Sequence, residues 1–292
     1  MSLQLRGAAP QIAKKQPPAA ISKQPEQPAQ TLPSATQTAS RKTEPVPSLS
    51  GLHFGRYHAL IIGNNEYDDL VALKTAVADA TAVADVLKRD YGFDVTLLTN
   101  ANRRDVVKVL AGYGRDLKTN DNLLIYYVGH AVLDQVTEQG YWLPVDAERD
   151  DPTNWIEVTS VTNMIRAIRA KHVMIVADSC YSGTLVRDAN VQLPTQEARS
   201  AWIKRMITMR SRTALASGGL EPVTDSGGGG HSVFAKAFLQ ALNEKPDILD
   251  GQTLFDKIKR PVVLDADHTP RYADIRKAGH EGGDFLFVKK RN

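Results

Sequence analysis

VMIVADSCYSG, residues 173–183, carries five apolar residues into Asp178, Ser179 and Cys180, then into small polar residues and Gly183. A short apolar run ended by turn-forming residues reads as a strand buried on both faces. LLIYYVGHA, residues 123–131, has the same pattern and ends on Gly129 and His130. YHALII, residues 57–62, stopped by Gly63-Asn64-Asn65, is a third such strand. Strands of this kind belong to parallel sheets covered by helices on both sides.

Helical periodicity occupies the intervals. Ala76, Val77, Ala80, Val83, Ala84 and Leu87 share one face of a helix over 74–90. Further helices are read over 102–117 with Asn102 as cap, 159–170, 232–243 and 252–260. Additional strands are read at 93–98, 213–216 and 285–288. The alternation implies an α/β fold: a mostly parallel sheet with helices on both faces, in a single domain. Right-handed crossovers place the loops that follow the strands at one edge of the sheet. Ligands of open α/β sheets bind at that edge. His130 and Cys180, 50 residues apart, both fall just past strand ends and so become a candidate pair.

The rest of the 292-residue chain sets limits. Residues 1–51 hold 8 of the 15 prolines, seven glutamines and no aromatic residue. That composition cannot offset its ordering entropy by burial, so it reads as a disordered tail or linker ahead of a domain over 52–292. Net charge is +3, and the tail carries six basic against two acidic residues. The body is therefore not basic, and nucleic acid is not an expected partner. A single cysteine excludes an internal disulfide and a cysteine-based zinc site. With neither a long apolar run nor a signal-peptide core, no membrane association is evident and a cytoplasmic location is expected. The glycine run 227–230 lacks the phosphate-loop pattern, and His280-Glu281 is not H-E-x-x-H.

A thiol is a nucleophile when a base or a positive field favours its thiolate. His130 is the best placed partner for Cys180. The other six histidines do not emerge from apolar strands.

On the segments ALIIGNNEY (59–67), LLIYYVGHA (123–131), YWLPVD (141–146) and VMIVADSCYSG (173–183), the chain resembles the caspase-like cysteine peptidases, in their metacaspase and bacterial orthocaspase branch. A histidine about 50 residues upstream of the cysteine is itself a feature noted for caspases. The resemblance implies a caspase–haemoglobinase fold and peptide-bond hydrolysis by a His130/Cys180 dyad. The backbone N–H groups of Cys180 and Ala131 would form the oxyanion hole. Metacaspases resemble this chain in having Asp two residues before the cysteine, and they cleave after basic residues. The resemblance thus implies that Asp178 receives Arg or Lys at P1, from a protein or peptide substrate. It also implies a second pocket acid after the first strand, where Asn65 and Glu66 stand. Ser217 and Gly218 are expected to pair with the substrate backbone. Some metacaspases require calcium; the dyad needs no cofactor, and Asp146, Asp150 and Asp151 are weak calcium candidates without EF-hand spacing.

Between Cys180 and the next strand lie Arg187, Arg199, Lys204, Arg205, Arg210 and Arg212. The resemblance makes this stretch a self-cleaved linker, whereas Trp202, Ile203, Met206 and Ile207 suggest a helix. Caspases dimerise through an edge strand and metacaspases are often monomeric, so oligomeric state stays open. The competing expectation is a catalytically silent caspase-like interaction or signalling module.

Overall fold

The computed structural model describes residues 51–179, 196–218, 229–244, 247–266 and 269–290. All of them fall within one compact unit, residues 46–292. The tail over 1–50, Cys180 and Arg187 lie outside the described residues.

Six strands form the main sheet: β1 (Tyr57–Gly63), β2 (Asp94–Thr99), β3 (Asn122–Val128), β7 (His172–Asp178), β8 (Ser211–Ala216) and β10 (Arg271–Asp274). Their order is β10-β8-β7-β3-β1-β2. Every pairing is parallel except that of β8 with the edge strand β10. The uninterrupted apolar runs are the central strands, and all seven residues of both β3 and β7 are buried.

Alternation along β1 separates two cores. Ala59 and Ile61 face α1 (Ala76–Val86), α5 (Val233–Asn243) and α6 (Gly251–Asp265). Leu60 and Ile62 face α2 (Arg103–Asp116) and α3 (Val158–Ala167). Asn102 caps α2, its side chain accepting from the N–H of Asp105 at 2.9 Å.

Some elements differ from the sequence reading. Ala131–Asp134 (β4), Gln139–Trp142 (β5) and Ile156–Glu157 (β6) form a separate antiparallel sheet. The strand read at 285–288 is β11 (Leu286–Val288), and it pairs with β9 (Ile248–Asp250) outside the main sheet. The helix read as stopping before Pro261 continues through it to Asp265, because Ile258 and Val262 stay buried on the same face. Such packing outweighs a local propensity cost of about 3 kcal/mol.

The stretch before β8 is also more ordered than a linker reading suggests. Gln196–Thr208 forms α4. Arg199 donates to the Ile248 carbonyl and the Asp250 carboxylate. Arg212 lies in β8, fully buried, with its guanidinium on the carbonyls of Ile168, Ala170, Lys171 and Ser211. Cleavage after Arg212 would require opening the sheet.

Candidate active site

The register brings the carboxyl ends of four strands to one level. Gly63 pairs with Val128, and Val128 with Asp178. The N–H of Ser217 reaches the Ala177 carbonyl at 3.0 Å, continuing the β8 side of the ladder. Two residues beyond Val128 is His130; two beyond Asp178 is Cys180. Neighbouring strands run about 4.8 Å apart, so Val128 and Asp178 end their strands side by side.

His130 is held from three directions. Its N–H donates to the Tyr67 hydroxyl at 2.8 Å. Its carbonyl accepts from the Tyr127 hydroxyl at 2.6 Å and from the N–H of Leu143 at 2.9 Å. Its Nε2 lies 2.7 Å from the Val71 carbonyl. A carbonyl only accepts, so Nε2 carries the proton and the neutral ring keeps its lone pair on Nδ1. The Tyr67 ring packs on the imidazole, with centroids 4.7 Å apart. Gly129 makes this approach sterically feasible: a Cβ there would stand 2.8 Å from the Tyr67 hydroxyl and 3.0 Å from that of Tyr127.

Ala131 opens β4. His130 and Leu143 are a hydrogen-bonded pair of the β4–β5 ladder, so the next pair, Ala131 with Trp142, is non-hydrogen-bonded. The Ala131 N–H therefore points away from β5 and can donate elsewhere.

Two carboxyl groups meet behind this edge. Asp178 continues the face of Met174 and Val176, the side on which α1 and α5 pack. Both Asp178 and Asp79, from α1, are buried. Ser232 ties them together: its hydroxyl donates to Asp178 Oδ2 at 2.6 Å and its N–H to Asp79 Oδ2 at 3.2 Å. His231 Nδ1 holds Asp79 Oδ1 at 2.5 Å. Asp178 Oδ1 is buried and accepts no hydrogen bond among the described residues. Burial pushes the Asp178 carboxyl up to about 7; the hydroxyls of Ser232 and, more weakly, Ser217 work against this, and Asp79 adds to it. Burial raises Asp79 as well, opposed first by His231. The α1 helix comes this close because Gly63 lacks a Cβ, which would lie 2.6 Å from the Ala76 carbonyl oxygen.

The candidates read from sequence fall as follows. Asp178 is one member of the acid pair. Ser217 joins it at the end of β8, with its hydroxyl on the Ser179 carbonyl at 3.3 Å, and Gly218 follows. Asn65 does not meet Asp178 in any described contact. Its side chain accepts from the N–H of Val77 and donates to the Lys74 carbonyl, securing the start of α1. Glu66 is exposed. The second acid beside Asp178 is Asp79, supplied by the helix and not by the preceding loop.

The calcium candidates are not brought together around an ion. Asp146 accepts from the Arg103 N–H, and Asp151 from the N–H and hydroxyl of Thr153. Among the described residues no group of three or more His, Cys, Asp or Glu side chains could hold a metal ion.

Asp79, Tyr67, Val71 and the His231–Ser232 pair were absent from the sequence candidates. Asp79 did carry a signal. It occupies the apolar stripe of α1 with Ala76, Ala80 and Val83, where a carboxylate has no packing role. The Val71 contact is made by a backbone carbonyl, so no side-chain pattern announces it.

Comparison with known proteins agrees with this architecture. The family described as Caspase domain matches residues 56–278. Metacaspase-1 of Saccharomyces cerevisiae is 28% identical over 151 residues, 45% of this chain and 34% of that one. Metacaspase-1B of Aspergillus niger is 28% identical over 154 residues, 44% and 34% of the two chains. The matched region is thus about a third of the length of these curated relatives. Among solved structures, caspase-1 of Spodoptera frugiperda superposes with a TM-score of 0.58 at 14% identity, over 82% of this chain and 94% of that one. A Geobacter sulfurreducens protein gives 0.54 at 18% identity, over 78% and 97%. The match to more than half of the sequence, on a sheet of this order, places the chain in the caspase-domain family of cysteine-type peptidases.

Proposed function

We propose that the chain is a cysteine endopeptidase that hydrolyses peptide bonds after Arg or Lys, with His130 and Cys180 as its dyad. The observation that carries the basic preference is the buried pair Asp79 and Asp178, two residues short of Cys180, with Asp178 Oδ1 unpartnered among the described residues. A buried carboxylate oxygen without a donor is costly until a cation reaches it. A P1 guanidinium supplies charge and a fork of N–H donors.

In this mechanism the Cys180 thiolate attacks the scissile carbonyl carbon. The oxyanion is stabilised by the N–H groups of Cys180 and Ala131. His130 Nδ1 takes the thiol proton of Cys180 as the thiolate forms, gives it to the leaving amine as the C–N bond breaks, and then acts as base for the water that hydrolyses the acyl-enzyme. The Val71 carbonyl holds Nε2–H throughout and stabilises the imidazolium. Matched fluorogenic peptides differing only at P1 test the specificity: Arg and Lys peptides are cleaved, and Ala and Asp peptides are poor substrates. Equal cleavage of all four would refute the assignment.

Because Asp178 titrates near 7 in the empty pocket, a proton and a P1 cation compete for it. KM for the Arg peptide is expected to fall as pH rises from 6 to 8, while KM for the Ala peptide stays level. Initial-rate kinetics across that range check both.

Tyr67 is a positioning residue, since it fixes the backbone of His130 and packs on its ring. Tyr67→Phe keeps the ring and removes the acceptor. Loss of one such bond, about 1 kcal/mol, predicts a fall in kcat of roughly five- to tenfold with KM unchanged. A change confined to KM would contradict this role.

Self-cleavage is proposed at Arg187, because Arg199, Arg210 and Arg212 are tied into the fold and Lys204 and Arg205 lie within α4. Incubation of the wild type should give fragments divided after Arg187, absent from Cys180→Ala and from Arg187→Ala. Identical intact masses for the wild type and Cys180→Ala would dismiss the proposal.

A further inference from the structure

We propose that His231 is a specificity-determining residue that fills the P1 acid site as a displaceable placeholder, leaving Asp79 when a basic side chain arrives. The inference rests on the basic-P1 reading above and concerns how that pocket is kept when empty.

Asp79 has no oxygen to spare. Its Oδ2 takes the Ser232 N–H and its Oδ1 takes His231 Nδ1. The Thr75 side chain, at the start of α1, adds a third hydrogen bond, and the donors differ in freedom. Ser232 is the cap of α5: its hydroxyl accepts from the Ala235 N–H at 2.9 Å while donating to Asp178. Moving it would uncap the helix and release both acids. His231 carries no such duty, since Asp79 is the only described side chain its ring holds. Its side chain is 30% exposed, whereas that of Asp79 is fully buried. The imidazole is therefore the member of the pair that reaches solvent. Gly229 and Gly230 lead into it with φ of 79° and 82°, and a Cβ at either would meet nothing within 4 Å. The two glycines directly before His231 are thus uncrowded among the described residues.

The chemistry suits a placeholder. An imidazole Nδ1–H donates to a carboxylate whether the ring is neutral or charged. It satisfies a buried oxygen in the absence of substrate, but with one donor. A guanidinium that displaces it offers several donors and a permanent charge. Every basic P1 residue must then overcome the His231 contact before it gains Asp79. A neutral P1 residue that leaves the contact in place meets no such cost. The geometry accordingly makes His231 a device that weakens basic P1 binding without touching the dyad.

The test compares full-length wild type, His231→Ala and His231→Gln on the peptides with Arg, Lys and Ala at P1. A hydrogen bond to a charged group amounts to about 1.5 kcal/mol, roughly tenfold in affinity. His231→Ala is expected to lower KM for the Arg and Lys peptides three- to tenfold relative to KM for the Ala peptide. His231→Gln, whose amide can donate again to Asp79, should return KM towards the wild-type value. An unchanged or raised KM in His231→Ala overturns the inference, since it would make His231 a fixed support of Asp79. A wild type with no preference for basic P1 residues overturns the specificity reading instead. A second measurement does not depend on the Ala variant folding: methylguanidine is titrated into the Cys180→Ala chain while the His231 ring resonances are followed by NMR. A saturable shift of those resonances is expected; resonances that stay fixed while methylguanidine binds contradict displacement.

Discussion

Cys180→Ala is expected to reduce turnover of an Arg peptide by roughly 10,000-fold or more, and His130→Ala by about 1,000-fold, with the fold intact in both. The thiol is the only cysteine in the chain, so no neighbour can substitute for it. For His130, the side chain makes one described hydrogen bond, from Nε2 to the Val71 carbonyl, while its backbone contacts to Tyr67, Tyr127 and Leu143 survive truncation. Activity and stability should therefore separate. Melting temperatures near the wild-type value with turnover lost would mark the imidazole as chemical. Wild-type turnover in His130→Ala would remove it from the mechanism.

Asp178→Asn is expected to lower kcat/KM for Arg and Lys peptides about 100-fold, the loss of a charge-assisted contact in a buried site. The amide is isosteric and its oxygen can still accept from Ser232, so the pocket wall is kept. The same substitution is expected to stabilise the empty enzyme at neutral pH. The folded state holds the Asp178 proton up to about 7, whereas the unfolded chain releases it near the ordinary 3.9. Between those values the folded state binds more protons, so stability falls as pH rises and the full penalty is present above about 7. That penalty is on the order of a few kcal/mol. Melting curves from pH 4 to 8 should descend less steeply for Asp178→Asn and lie above the wild type at pH 8. Asp284, also pushed up to about 7 by burial, contributes a similar slope to both proteins. A variant that melts lower than the wild type at pH 8 while keeping its preference for basic peptides would show that the carboxyl serves packing.

Central strands were the most legible part of this molecule, because burial on both faces writes itself as unbroken apolar runs at 57–62, 123–128 and 173–177. Those runs also located the edge of the sheet at which His130 and Asp178 lie, since each ends where the chain leaves the sheet. The short strands β4 to β6, β9 and the pairing of β9 with β11 were not legible. They hold few residues, and their pairing depends on partners far along the chain. Pro261 misled for a related reason: packing of Ile258 and Val262 overrode a local signal. In the site, Asp178 was readable from its place after a strand. Asp79 was hidden inside a helical stripe and became meaningful only once α1 lay over the strand ends. Ser232 was read as the start of a helix, and nothing in one dimension ties it or His231 to a residue more than 150 positions earlier.

The most direct test is covalent labelling of the wild-type chain with a peptidyl arginyl chloromethyl ketone, matched against its aspartyl counterpart and followed by peptide mapping. The account predicts a single adduct on Cys180 from the arginyl reagent, little from the aspartyl one, and loss of the arginyl adduct in Asp178→Asn. No adduct on Cys180, or equal labelling by both reagents, would contradict it.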